Sequence, residues 1–165
     1  MSYCTECGTE LKEKFLENEG MIPYCEHCGQ YRFPMFNTAV SMVVYSPDHS
    51  KILLIQQYGK ARNILVAGYV NKGESAEEAV VREVKEETGL TVLDYRFNKS
   101  EYFAKSNTLM VNFACTVDSE NFTLRKGEVD RAGWFSVEEA RAQIYHDSLA
   151  EKFLLSAIEK RLYQA

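Results

Sequence analysis

Residues 68–90, GYVNKGESAEEAVVREVKEETGL, are the stretch of the chain that decides its fold. Ser75 followed by Glu78 has the spacing of a capping box, in which two side chains satisfy free backbone N–H groups at the start of a helix. Gly89 stands where a helix commonly ends on a left-handed residue. The stretch therefore predicts a helix over residues 76–88.

Three glutamates of this predicted helix, Glu83, Glu86 and Glu87, fall within an arc of roughly 100° at 3.6 residues per turn. The same arc contains the small apolar residues of 76–80, so we expect it to face the protein, whereas Arg82 takes the outer side and braces the cluster. A solvated face of paired charges is the usual meaning of a glutamate-rich helix. Inward carboxylates instead repel one another and need a cation, and Mg²⁺ or Mn²⁺ prefers oxygen ligands. The helix therefore predicts a divalent-metal site.

Four of the five cysteines form two C-x2-C pairs, with residues 8–24 between them. The pairs are Cys4 with Cys7 and Cys25 with Cys28. This spacing is typical of a zinc site, and the glycine after each pair permits the tight turn that directs backbone N–H groups at the thiolates. Two disulfides are the alternative interpretation. Because four cysteines leave no open coordination position, we predict one structural Zn²⁺ per chain.

The composition is that of a globular protein with one sizeable core and a small appendage: 165 residues, of which 45% are hydrophobic. We place a four-cysteine zinc ribbon at residues 1–34 and the main domain at residues 35–165. The N-terminus has neither the basic n-region nor the apolar h-region of a signal peptide, and no run approaches the ~18 apolar residues of a membrane span. We therefore expect a cytoplasmic protein without a membrane partner.

The charge of the chain bears on its partners. A net charge of −5 argues against nonspecific attraction to nucleic acid or to an anionic membrane. Residues 1–29 contain six acidic side chains and two basic ones, a balance of −4. This is the wrong sign for binding phosphates, so we do not expect a nucleic-acid partner for the ribbon.

Apolar runs separated by turn residues predict six strands besides the ribbon. They lie near residues 38–45, 52–57, 64–70, 92–103, 108–117 and 129–135. Two more pairs with capping-box spacing, Ser136 with Glu139 and Ser148 with Glu151, predict two helices near the C-terminus. The pattern of mixed strands with few helices predicts an α+β sandwich.

The spacing G-x5-E-x7-RE-x2-EE-x-G is the Nudix signature. It is formed by Gly68, Glu74, Arg82, Glu83, Glu86, Glu87 and Gly89. Residues 36–165 accordingly resemble the Nudix hydrolase family, which implies an α/β/α sandwich around a mixed sheet. The ribbon and the run from Ala67 to Glu74 make the chain similar to the NADH pyrophosphatases of that family. Those enzymes usually carry a further domain ahead of the ribbon, whereas this chain begins at the ribbon.

The resemblance also implies roles for individual residues. Glu83 and Glu87 match carboxylate ligands of two or three catalytic Mg²⁺ or Mn²⁺ ions, with the backbone carbonyl of Ala67 completing a site. Glu86 is their close neighbour, a further candidate ligand of these ions and a candidate general base. Glu128, at the start of the run EVDRAGWF, matches a downstream glutamate that serves as another ligand.

Substrate contacts are implied in the same way. Phe33 and Tyr69 match aromatic positions beside the nucleotide, although Tyr69 could also be a core tyrosine of a strand. The segment SLA at residues 148–150 resembles a family segment near the substrate. Residues 100–108, SEYFAKSNT, align with the substrate loop but lack its prolines and tryptophan. The candidate contacts are Phe33, Tyr69, Glu101, Tyr102, Phe103, Ser106 and Ala150.

The resemblance implies hydrolysis of a nucleoside diphosphate linked to another moiety, with NAD(H) cleaved to AMP and nicotinamide mononucleotide as the first choice. ADP-ribose or another ADP-linked compound is the alternative within the class, and the degenerate loop keeps it open. A non-catalytic regulator that senses a nucleotide is the alternative from another class. The expected partners are a small-molecule dinucleotide and, by resemblance, a second copy of the chain in a homodimer.

Overall fold

A three-stranded antiparallel sheet organises the first of the two units of the chain, Met1–Phe36. The computed structural model describes residues 2–163. Its strands, in spatial order, are β1 (Lys12–Leu16), β2 (Gly20–Cys25) and β3 (Gln30–Tyr31). The two cysteine pairs lie in turns closed by the N–H of Gly8 to the carbonyl of Cys4 and the N–H of Gly29 to the carbonyl of Cys25, at 2.8 and 2.9 Å. Both glycines have a left-handed φ, +73° and +68°, which a side chain would strain.

A six-stranded mixed sheet forms the centre of the second unit, Asn37–Ala165. Its strands are β4 (Asn37–Tyr45), β5 (Lys51–Gln57), β6 (Val66–Tyr69), β7 (Val92–Phe103), β8 (Thr108–Val117) and β9 (Val129–Ser136). The spatial order is β7-β8-β4-β5-β9, and β6 pairs with β4. Only β4 and β8 are parallel; both are central and buried over most of their length. The six predicted strands are confirmed.

Helices cover the two faces of this sheet. They are α1 (Ala76–Thr88), α2 (Val137–Gln143) and α3 (Leu149–Glu159). Neighbouring residues of a strand point to opposite faces: Val44 of β4 lies in the core formed with Val80 of α1, and Val43 lies in the core formed with Phe153 of α3. The architecture is the predicted α/β/α sandwich. Among the described residues, no helix has the length and apolar content that crossing a membrane requires.

The helix caps follow the sequence signals with one exception. Ser75 and Glu78 form the complete capping box of α1, and Gly89 ends that helix at φ +73°. Only one of the two hydrogen bonds of the capping box predicted at Ser148 forms. Ser148 accepts the N–H of Glu151 as expected, but the Glu151 carboxylate turns away to the backbone N–H of Asp147, 2.7 Å distant, and to the ring of His146.

A hairpin joins β7 to β8 through a short 3-10 turn, Ala104–Ser106, and it contains the predicted substrate loop. Asn107 closes the turn with a left-handed φ of +49° and accepts the backbone N–H of Asn37 at 2.9 Å. The tip of the hairpin is thereby fixed beside the first residue of β4, so these loop residues have a defined position.

Candidate active site

Glu87, in the last turn of α1, is the most buried carboxylate of the site, with 4% of its surface exposed. Gln57 of β5 donates its side-chain N–H to Oε1 at 2.9 Å, whereas Oε2 is buried without a hydrogen-bond partner among the described residues. Burial raises the pKa of Glu87 to about 7; the Gln57 hydrogen bond opposes this shift, and the nearby charges of Glu83 and Glu128 add to it. A buried acceptor oxygen without a donor is costly unless a cation meets it.

Glu83 packs its carboxyl group directly against the backbone of Gly68 in β6. A Cβ atom at position 68 would lie 2.0 Å from Cδ and 2.1 Å from Oε1 of Glu83. No real contact is that short, so only glycine leaves room for the carboxylate. The first glycine of the signature is therefore needed because the Glu83 carboxylate approaches the backbone closely at this position. The same contact places the Glu83 carboxylate next to Ala67.

Arg82 connects the start of the signature to its acidic cluster. Its guanidinium bonds both oxygens of Glu74 at 2.7 and 2.9 Å, Glu83 Oε1 at 2.6 Å and the carbonyl of Tyr69 at 3.0 Å. Arg82 holds the pKa of Glu74 down at about 2. The prediction that Arg82 takes the outer side is wrong in direction: its side chain is half-buried, because two carboxylates and a carbonyl draw it back toward β6.

Glu86 and Glu128 lie on either side of one arginine, Arg125, from the loop before β9. Its Nη1 atom is 3.0 Å from Oε2 of Glu86 and 3.3 Å from Oε2 of Glu128. The Glu86 side chain remains 41% exposed and lies at the rim of the site. Of the three carboxylates expected to face inward, only those of Glu83 and Glu87 do so. Arg125 belongs to no motif and is not among the residues predicted for the site.

The carboxylates of the site are oxygen donors of the kind that Mg²⁺ and Mn²⁺ prefer. In the described part of the chain, the four cysteines are the only group of three or more metal-ligating side chains whose ligand atoms lie close together, so the glutamate oxygens do not converge on one point. Arg82 and Arg125 account for this because they hold Glu83, Glu86 and Glu128 in ion pairs. The unpartnered oxygen of Glu87 and the all-oxygen chemistry of the carboxylates nevertheless fit a hard divalent cation.

A mostly apolar cavity of about 310 Å³ shares one residue, Gly68, with the contact that positions Glu83. It is lined by Ala39, Ala67, Gly68, Tyr69, Phe103, Ser106, Thr108, Met110 and Leu149. The structure thus brings together four predicted site residues: Ala67, Tyr69, Phe103 and Ser106. Tyr69 is 56% exposed, so its interpretation as a core tyrosine is excluded. Cavities of this size take part of a small-molecule ligand, such as a base or sugar.

Four other predicted contacts do not line this cavity. Glu101 forms an ion pair with Lys152 of α3 at 2.7 Å, which holds the pKa of its carboxyl below the ordinary value. Tyr102 is exposed on the hairpin, and Ala150 packs against the apolar core on the α3 side of the sheet. Phe33 is exposed in the N-terminal unit. Their roles in substrate binding stay predictions.

The four cysteines of the N-terminal unit gather their sulfur atoms within 4.8 Å of one another, and none is in a disulfide. Cys4 and Cys28 have sulfurs 3.9 Å apart, and those of Cys7 and Cys25 are 3.5 Å apart. A tetrahedral zinc with bonds of about 2.3 Å needs sulfur separations of about 3.8 Å. Arg32 donates its Nε–H to the sulfur of Cys4 at 3.3 Å. The cluster fits a structural Zn²⁺.

Comparisons with known proteins agree with this site. Residues 35–155 match the family model described as NUDIX domain. The chain is 28% identical over 162 residues to the NAD-capped RNA hydrolase NudC of Haemophilus influenzae (strain PittGG), covering 95% of this chain and 60% of the relative. It is 37% identical over 118 residues to the protein of the same name from Mycobacterium tuberculosis (strain ATCC 25177 / H37Ra), covering 70% and 38%. The chain therefore spans less than two thirds of either relative.

Solved structures show the same fold. A NUDIX hydrolase from Nitrosomonas europaea superposes with a TM-score of 0.71 at 16% identity, covering 99% of this chain and 93% of that one. The NUDIX domain of Shewanella oneidensis NrtR, complexed with ADP ribose, gives a TM-score of 0.66 at 17% identity, covering 83% and 93%. At these identities the likeness concerns the fold alone.

Proposed function

The chain belongs to the NUDIX family and is a Nudix hydrolase, and from this premise we propose that it cleaves the diphosphate bond of NAD(H) to give AMP and nicotinamide mononucleotide. The observation that carries the proposal is the buried, unpartnered oxygen of Glu87 among three further glutamates, of which Glu83 packs against Gly68, a residue that also lines an apolar cavity. Acidic ligands for a cation next to an apolar cavity suit a substrate that has a diphosphate joined to a flat base.

The metal site is part of this proposal. We assign Glu83, Glu87, Glu128 and the carbonyl of Ala67 as ligands of Mg²⁺ or Mn²⁺, with Glu86 at the rim. Bound divalent ions offset the charge of the diphosphate and lower the pKa of an attacking water. Gln57 fixes one oxygen of Glu87 and leaves the other free to bind, and Arg82 fixes Glu83 against Gly68.

We assign the general base to Glu86. It is the most solvent-exposed of the three signature carboxylates in α1, so a water molecule can reach it from the open side of the site. A base must lie within hydrogen-bond reach of the proton it removes, and the deeply placed Glu87 is better suited to hold a cation. The remaining member, Glu83, is held by Arg82 and faces β6.

The substrate choice draws on the cavity and on the relatives. Tyr69 and Phe103 offer aromatic faces on which a nicotinamide or adenine ring can stack. The names of the relatives from H. influenzae and M. tuberculosis refer to an NAD cap, which contains the same diphosphate bond. NAD-capped RNA is therefore the second candidate, although the negative charge of the ribbon does not support binding of an RNA chain. ADP-ribose is the third, because the NrtR domain was solved with it.

A substrate panel tests the proposal. NADH, NAD, ADP-ribose, diadenosine polyphosphates and an NAD-capped oligonucleotide are incubated with enzyme and Mg²⁺ or Mn²⁺, and products are separated by chromatography. We expect AMP and nicotinamide mononucleotide from NADH or NAD, at a higher kcat/KM than for the other compounds. Strong cleavage of ADP-ribose without detectable cleavage of NADH would overturn the substrate choice. Nucleotide binding without any product would favour the non-catalytic alternative.

A further inference from the structure

The loop of residues 118–128 is fixed to the C-terminal end of α1 by backbone hydrogen bonds. Thr123 donates its N–H to the carbonyl of Thr88 at 2.8 Å, and Arg125 donates its N–H to the carbonyl of Glu87 at 3.1 Å. The carbonyl of Arg125 in turn accepts the N–H of Val129 at the start of β9. The backbone of Arg125 is therefore held next to the buried glutamate, and its side chain starts from a defined point.

The side chain of Arg125 bridges two carboxylates that come from different elements. One nitrogen, Nη1, lies 3.0 Å from Glu86 of α1 and 3.3 Å from Glu128 of the loop before β9. The three side chains are between 39% and 48% exposed, so ions from solvent can reach them. Arg82 reaches Glu86 only at 3.6 Å. Arg125 is thus the cation that Glu86 and Glu128 share.

We propose that Arg125 is a built-in counter-cation that occupies the carboxylates of Glu86 and Glu128 when no divalent metal is bound, and that metal must displace it. This inference rests on the metal site of the proposed function. A metal ion held by Glu128 competes with the guanidinium for the Oε2 atom of that carboxylate, and displacement of Arg125 also frees Glu86, the general base assigned above. Arg125 therefore lowers the affinity of the site and sets the metal concentration at which the enzyme becomes loaded.

Arg125 acts through direct contact with Glu86 and Glu128, and not through its positive charge alone. A single nitrogen of Arg125, Nη1, contacts both carboxylates. A lysine at this position would keep the charge but would present it as a compact ammonium on a flexible stem. The adjacent Lys126 provides a matched control because it carries the same charge on the same loop and makes no ion pair within residues 2–163. Removing either side chain changes the net charge by one, but only Arg125 touches the carboxylates.

The test is a titration with Mn²⁺ of the full chain, with its ribbon zinc retained and other divalent ions removed, without substrate, followed by calorimetry and by the electron paramagnetic resonance signal of free Mn²⁺. We expect Arg125→Gln to bind Mn²⁺ roughly 2- to 30-fold more tightly than the wild type, the range set by the loss of two exposed ion pairs. Lys126→Gln should stay near the wild-type value, and Arg125→Lys should fall between wild type and Arg125→Gln. Circular dichroism confirms that each variant is folded.

Three results would overturn the inference. Unchanged or weaker Mn²⁺ binding by Arg125→Gln would mean that Arg125 does not compete with the metal. Equal tightening by Lys126→Gln would mean that long-range charge, and not contact, explains the effect. If the wild type binds no Mn²⁺ at its acidic cluster, the metal site of the proposed function fails as well. This outcome differs from the first two, in which the wild type does bind Mn²⁺.

Discussion

Replacement of Gly68 by alanine is the sharpest test of how the site is built. The new Cβ would lie 2.0 Å from Cδ of Glu83, whereas real contacts stay beyond 3.0 Å, so one partner must move by at least 1 Å. The backbone at Gly68 is held in its register opposite Val40 of β4, so the Glu83 carboxylate should move instead. Moving it breaks the 2.6 Å contact with Arg82 and displaces a proposed metal ligand.

The size of the effect follows from this displacement. Misplacing a catalytic group by about 1 Å can lower the rate by roughly 10²-fold, and overpacking of this kind destabilises a fold by about 1–3 kcal/mol. Initial rates of NADH hydrolysis at saturating metal and thermal denaturation measure the two effects. In a Glu83→Ala background the clash is absent, so Gly68→Ala should then cost little stability.

Two results would refute this reasoning. A Gly68→Ala enzyme with wild-type kcat would mean that the carboxylate of Glu83 does not need its present position. A loss of stability that persists in the Glu83→Ala background would mean that the glycine is needed for a reason other than the carboxylate.

Three further predictions concern other parts of the molecule. Glu87→Gln should lower kcat by at least ~10²-fold because a metal ligand is lost; near-normal turnover at saturating Mg²⁺ would contradict the assignment. Arg32→Met removes the N–H donated to the Cys4 sulfur, so a chelator should extract zinc faster from the variant than from the wild type. Zinc release is followed with a colorimetric indicator, and an unchanged rate would be evidence that Arg32 does not stabilise the zinc site. Glu151 raises the pKa of His146, so the stability from this pair is complete below the unfolded pKa of about 6.5 and is lost as pH rises through the folded pKa. His146→Ala should therefore lower Tm more near pH 6 than near pH 9, and equal losses at both values would disprove the linkage.

Local signals in the sequence predicted most of the fold. The helix α1 begins and ends where Ser75 and Gly89 indicate, because capping depends on neighbours within a few residues. The capping box at Ser148 failed for a related reason: His146 and the N–H of Asp147 compete for the Glu151 carboxylate, and a spacing rule does not include such competitors.

The site was less predictable because its contacts are long-range. A helical projection gives the direction of Glu86 but not the depth of the site around it, and so it could not reveal that this carboxylate stays at the rim. Arg125 approaches Glu86 from 39 residues further along the chain, and its only local sign is Glu128 three residues later. The projection also placed Arg82 outside, since the pull of Glu74 depends on how the loop before α1 folds back.

Much of the signature builds the site without performing its chemistry. Gly68 leaves space for one carboxylate, and Glu74 with Arg82 holds that carboxylate in place. Gly89 ends α1 and lets Thr123 approach to within 3.4 Å of where a side chain would be, which brings in the loop with Arg125. Of the signature, only Gly68 lines the neighbouring cavity, whose other walls come from strands and from the β7–β8 hairpin. In the proposed function, the signature therefore supplies the hydrolytic chemistry, whereas we assign the choice of substrate to hairpin and strand residues that lie outside it.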